Sequence, residues 1–122
     1  MTKPLRVAVA GMGTMGRLYA GWMQQGRVPG AVFSAAYDPA SDCAARLQEG
    51  FPQAKFFSQS SELFHSGLAD AVIIASPHRF HPELGEQALR AGLHTMVEKP
   101  AGIDAASVRR MNAAAAEHPQ LA

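Results

Sequence analysis

The chain has 122 residues, 48% of them hydrophobic, which suits one domain with one sizeable core. Lys and Arg number 11 against 10 Asp and Glu, a formal net charge of +1 with no basic block, so a nucleic-acid footprint is not expected. No apolar stretch approaches the ~20 residues of a membrane span, the N-terminus is too short for a signal-peptide core, and the single Cys43 has no partner for an internal disulfide; the expected location is the cytoplasm.

The elements follow in strict alternation. Leu5–Ala10 is a β-branched apolar strand that runs directly into Gly11-Met-Gly-Thr-Met-Gly16. A helix is predicted from Thr14 to Gln25, with Leu18, Trp22 and Met23 at helical spacing, stopped by Gly26, Pro29 and Gly30. Ala31–Tyr37 reads as strand two, closed by Asp38. A helix from Ser41 to Glu49 with Gly50 as its C-cap precedes a short third strand, Lys55–Phe57. Ser60 or Ser61 can cap a brief helix through Phe64. Ala69–Ala75 is a continuous apolar run, as in a strand buried on both faces of a parallel sheet. Pro82 suits the first turn of the next helix. Its inner face is Leu84, Ala88 and Leu89, and Glu86 can pair with Arg90 at i,i+4. His94–Glu98 is strand five. Asp104 caps a last helix with Val108, Met111 and Ala115 inward. Right-handed crossovers then require an α/β fold, a doubly wound parallel sheet of order 3-2-1-4-5.

A strand followed by G-x-G-x-x-G opens a dinucleotide-binding βαβ unit, and each glycine has a mechanical task. Gly11 allows the tight turn, Gly13 lets a pyrophosphate approach the backbone, and Gly16 lets the helix pack on the strand. The helix N-terminus then faces the phosphates. Asp38 sits about 20 residues on, where a carboxylate accepts hydrogen bonds from the adenosine ribose. That favours NAD over NADP, although Ser41 or Arg46 leaves NADP open; the competing reading of Asp38 is a turn residue before Pro39. His78 and His81 lie i,i+3, but no Asp, Glu or Cys completes a metal site, so capping or packing near the cofactor is expected and a metal is not. Met12 and Met15 are expected to pack under the turn, Phe56 and Phe57 in the sheet core, and Cys43 as a small buried residue.

The segment Ala75-Ser-Pro-His-Arg-Phe-His81, the helix end Ala88-Leu-Arg-Ala-Gly92 and Leu93-His-Thr-Met-Val-Glu-Lys99-Pro100 resemble the glucose–fructose oxidoreductase, inositol dehydrogenase and MocA-like family. The resemblance covers Val7 to about Ala116. It implies that Gly11, Gly13, Thr14, Met15 and Gly16 form the pyrophosphate turn and that Asp38 binds the ribose. It places Ser76 and Pro77 along the adenine and ribose side, His81 near the same crevice, and Glu98 and Lys99 beside the nicotinamide. Lys99 would be the catalytic residue, its ammonium hydrogen-bonding the substrate oxygen, with Glu98 holding it charged or contacting the cofactor. Pro100 is expected to turn the chain sharply there, with a cis Lys99–Pro100 bond as the minority reading. The sequence departs from the family at His78, usually Asn, and at Leu93, usually Lys. The family implies an oxidoreductase acting on a sugar, polyol or related secondary alcohol. It also implies a sixth strand and a second, substrate-binding domain, both missing from these residues. The chain therefore reads as the cofactor half, inactive alone, with an exposed strand-five edge from His94 to Glu98 that invites a homodimer or higher oligomer. The competing readings are a non-catalytic nucleotide-binding domain used as a redox sensor or assembly partner, and a variant for NADP or a nucleotide sugar.

Overall fold

The computed structural model describes residues 3–40, 44–102 and 104–122, and for Arg46 the backbone alone, so the expectations for Ser41, Cys43 and the Arg46 side chain lie outside it. The elements are β1 Leu5–Ala10, α1 Thr14–Gln24, β2 Ala31–Tyr37, α2 Ala44–Gly50, β3 Lys55–Phe57, α3 Ser60–Phe64, β4 Ala71–Ile74, α4 His81–Arg90, β5 His94–Val97 and α5 Ala105–Glu117, with a 3-10 turn at His78–Phe80 before α4. The strands form one parallel sheet in the expected order β3-β2-β1-β4-β5.

Alternation along β1 builds both cores. Ala8 and Ala10 face Val72, Ile74, Leu63, Leu84 and Ala88 on one side. Val7 and Val9 face Met12, Ala20, Met23 and Ala36 on the other. A strand buried on both faces has no polar side to offer, which is why Val7–Ala10 of β1 and the whole of β4 read as unbroken apolar runs. Helix α1 covers β1 and β2, while α4 covers β4 and β5 and carries α5 on its outer side. The α4–α5 contact is close because Gly85 has no Cβ: one placed there would lie 2.5 Å from Met111 Sδ. Among the described residues, no helix is long and apolar enough to cross a membrane.

Several local expectations are corrected. The β4 ladder is Ala71–Ile74, shorter than the apolar run, although Asp70 N–H and Ala75 N–H still donate to Arg6 and Ala10 carbonyls at 2.8 Å each. Met15 is 40% exposed and does not pack under the turn, whereas Met12 is buried. Neither Ser60 nor Ser61 caps α3; its N-cap is Gln59, and Ser60 Oγ instead donates to Gln87 Oε1 at 3.1 Å. In α5 the inward alanine is Ala114, not the exposed Ala115. Other expectations hold: Asp104 caps α5 by accepting from Ser107 N–H at 2.7 Å, and Arg90 pairs with Glu86 at 3.3 Å. The β5 edge is narrower than expected. Thr95 N–H donates to the Ala122 carbonyl at 2.9 Å, and Ala122 N–H donates to His94 Nδ1 at 3.0 Å, so part of the edge is already paired within the chain.

Candidate functional site

The carboxyl ends of β1, β2 and β4 converge where the strand order reverses, between β1 and β4, which is where open α/β sheets bind ligands. A cleft of about 670 Å³ opens there. Gly11, Gly13, Thr14 and Met15 line it from the turn after β1, Tyr37 and Asp38 from β2, and Ser76 and Pro77 from the segment after β4.

The three glycines separate cleanly by what a side chain would meet. Gly11 has φ +101°, a region that disfavours any residue with a Cβ, and a Cβ there would lie 2.5 Å from Ser76 N. A Cβ on Gly16 would collide with the Gly11 carbonyl oxygen. Gly13 is different. It is the N-cap of α1 with φ −74° and ψ −156°, backbone open to other residues, and a Cβ there meets nothing within 4 Å. The fold uses Gly11 and Gly16 internally; the free space at Gly13 faces outward. The first turn of α1 contains no acidic residue and receives no side-chain cap. Its leading amides therefore remain available to an anion.

Asp38 joins the turn to β2. Its Oδ2 accepts Met12 N–H and its Oδ1 accepts Ala40 N–H, both at 2.9 Å. The turn role weighed for Asp38 is thus realised, but a carboxylate offers about four acceptor positions, and two remain. Burial pushes the Tyr37 phenol above its usual range, and the Asp38 and Glu83 carboxylates add to this. Across the cleft, Ser76 is 9% exposed and its Oγ has no hydrogen-bond partner among the described residues. Buried hydroxyls are seldom left unpaired. An orphaned donor, an unfilled cradle at Gly13 and a half-satisfied carboxylate around one cleft fit a dinucleotide.

The remaining candidates stand elsewhere. Gly16 lies beneath the turn. His81 does not line the cleft; it is 1% exposed, its Nε2 lies 2.7 Å from the Ser76 carbonyl oxygen and its Nδ1 2.8 Å from that of Pro100. Each ring nitrogen thus faces a backbone carbonyl of the protein rather than the cleft. Glu98 continues the β4–β5 pairing, donating its N–H to the Ile74 carbonyl at 3.0 Å. Lys99 follows, exposed, and the Lys99–Pro100 bond is cis. Among the described residues no ion pair joins Glu98 to Lys99. Conversely, Ser60, Glu83 and Gln87 line the cleft without having been singled out. Glu83 and Gln87 share one face of α4 at i,i+4, a spacing the sequence does display.

Residues 5–122 match an oxidoreductase family described by its NAD-binding Rossmann fold. Inositol 2-dehydrogenase of Corynebacterium glutamicum strain R is 37% identical over 111 residues, 91% of this chain and 33% of that protein. A 1-carboxy-3-chloro-3,4-dihydroxycyclohexa-1,5-diene dehydrogenase of Comamonas testosteroni is 32% identical over 91% of this chain and 28% of its own. Among solved structures, scyllo-inositol dehydrogenase of Lactobacillus casei with bound NAD(H) and scyllo-inositol superposes with a TM-score of 0.90 at 26% identity, covering 98% of this chain and 35% of that one. The chain thus spans about a third of the length of such relatives.

Proposed function

This chain belongs to the Gfo/Idh/MocA oxidoreductase family as its NAD-binding Rossmann domain, and we propose that it is the cofactor half of an enzyme that oxidises a sugar, polyol or related secondary alcohol. The observation that carries this reading is Gly13: nothing in the protein occupies the space its missing Cβ leaves, at a helix N-terminus that awaits an anion. Gly13 and the amides of Thr14, Met15 and Gly16 would hold the pyrophosphate, with Gly11 setting the turn. Asp38 accepts the ribose hydroxyls on its two free positions and repels a 2′-phosphate, so NAD is preferred to NADP. Ser76 Oγ donates to the cofactor and Pro77 lines the same wall. NAD, when bound, supplies the hydride acceptor.

Lys99 is the catalytic residue in this proposal. It follows a parallel strand at its carboxyl end, and its ammonium would donate to the substrate oxygen, stabilising the negative charge that develops there as the hydroxyl proton passes to a base supplied by a second domain. Glu98 contacts the nicotinamide side. Relatives named for inositols support a polyol substrate. Lys99 is outside the cleft-lining set, and a substrate site completed by a second domain is part of the proposal. Self-association belongs to it too, through the unpaired part of the β5 edge and the exposed Met96 beside it.

Calorimetric titration of the chain with NADH and NADPH tests the reading: tighter NADH binding is expected, with no turnover of a polyol. Equal or tighter NADPH binding would remove the role of Asp38, and polyol oxidation by this chain alone would show that Lys99 needs no second domain. Light scattering that finds only monomer at high micromolar concentration would remove the self-association.

A further inference from the structure

His81 has no part in that reading, although it is among the most buried side chains in the molecule, at 1% exposure. It opens α4, yet it does not cap it, since its two partners are carbonyl oxygens outside the helix. Those carbonyls belong to different loops. Ser76 follows β4 and lines the dinucleotide cleft. Pro100 follows β5 and is bonded to Lys99. The ring spans the gap between them, with Nε2 2.7 Å from one oxygen and Nδ1 2.8 Å from the other. The Ser76 backbone also packs closely against Gly11, where a Cβ would lie 2.5 Å from Ser76 N. A carbonyl only accepts, so a neutral imidazole holds one loop and an imidazolium holds both. His78 lies edge-on to the ring, with centroids 5.5 Å apart.

We propose that His81 is a positioning residue: by tying Pro100 to Ser76 it fixes the Lys99 backbone relative to the dinucleotide cleft. This rests on the role given to Lys99 above, and a double-mutant cycle separates the two claims. NADH is titrated into the wild-type chain, Lys99→Ala, His81→Phe and the double variant, with the nicotinamide fluorescence and the affinity read together. Lys99→Ala is expected to change the emission of bound NADH. His81→Phe keeps the ring shape without its donors; it is expected to reproduce part of that change and to weaken binding about two- to tenfold, the worth of one buried hydrogen bond. In the Lys99→Ala background, His81→Phe should leave the emission unchanged. His81→Gln, which retains amide donors, should restore part of the wild-type signal. If Lys99→Ala leaves emission and affinity at wild-type values, the assignment of Lys99 falls and this inference with it. If Lys99→Ala changes the emission while His81→Phe acts equally in both backgrounds, or not at all, only the inference falls. Should His81→Phe fail to give a cooperative thermal transition, His81→Leu, which also lacks donors, takes its place in the cycle with the same deciding outcomes.

Discussion

Alanine substitutions at Gly13 and Gly16, three residues apart in one turn, should fail in opposite ways. At Gly16 the new Cβ collides with the Gly11 carbonyl oxygen and lies 3.2 Å from Val9 Cγ1. Neither the turn nor a strand buried to 0% exposure at Val9 can yield cheaply, and such overpacking costs about 1–3 kcal/mol. At Gly13 the Cβ meets nothing within 4 Å. Alanine is a poorer N-cap than glycine, but it also lowers the entropy of the unfolded chain by about 0.4–1 kcal/mol. The two effects oppose, and Gly13→Ala should match the wild-type stability to within about 0.5 kcal/mol. Its cost falls on binding. A methyl on the open side holds a phosphate oxygen beyond the ~2.9 Å that an amide hydrogen bond requires. Losing one charge-assisted bond at roughly 1.5–3 kcal/mol weakens NADH by about ten- to hundredfold. Urea unfolding followed by circular dichroism measures the first quantity and calorimetry the second. A folded Gly13→Ala protein with wild-type NADH affinity would refute the ligand argument, and a Gly16→Ala protein of wild-type stability would refute the packing argument.

Asp38→Ala should narrow the gap between NADH and NADPH in calorimetry and also lower the stability measured by urea unfolding by about 1 kcal/mol, since Met12 N–H and Ala40 N–H both lose their acceptor; a variant of unchanged stability would mean that those bonds contribute nothing. Arg6 grips Asp70 with side-chain hydrogen bonds at 2.8 and 3.2 Å and its own N–H at 2.9 Å, which lowers the carboxyl from 3.8 to about 2. A pKa lower in the folded state stabilises above the unfolded value, so the contribution should be present above pH 3.8 and lost as the pH falls through about 2. The pair is partly exposed and the effect small, but Asp70→Asn and wild type should differ in urea at pH 5 and converge near the acid end. A gap that persists there would locate the stabilisation elsewhere.

How much of this was legible depended on whether the cause lies in the local sequence. The turn after β1 was, because Gly11 and Gly16 are demanded at fixed spacing by the chain's own geometry. So was Asp104, whose partner Ser107 is three residues away. The phase of α5 was not: the alanine run Ala113–Ala116 is apolar at every position, and only the packed fold selects Ala114. Ser60 looked like a cap, but Gln87, 27 residues on, competes for its hydroxyl. His81 was conspicuous in the sequence and its role was not. Its partners are backbone carbonyls 5 and 19 residues away, and a carbonyl leaves no mark on the identity of the residue that carries it. The far wall of the cleft, Glu83 and Gln87, comes from α4 rather than from the βαβ unit that announces the site.

The double anchorage of Asp38 bears on any attempt to redesign cofactor choice. Because both oxygens are already tethered to Met12 and Ala40 amides, the side chain has little rotational freedom left to surrender when a ribose docks. A free carboxylate would forfeit about 0.5–1.5 kcal/mol at that moment. The same tethers make the position a poor one for a simple exchange. A serine or arginine introduced to welcome a 2′-phosphate inherits the task of holding the glycine turn against β2. A variant that merely removes the charge should therefore lose affinity for both dinucleotides before it gains any for NADP. A second substitution that supplies a new acceptor to the Met12 amide is the change that would recover it.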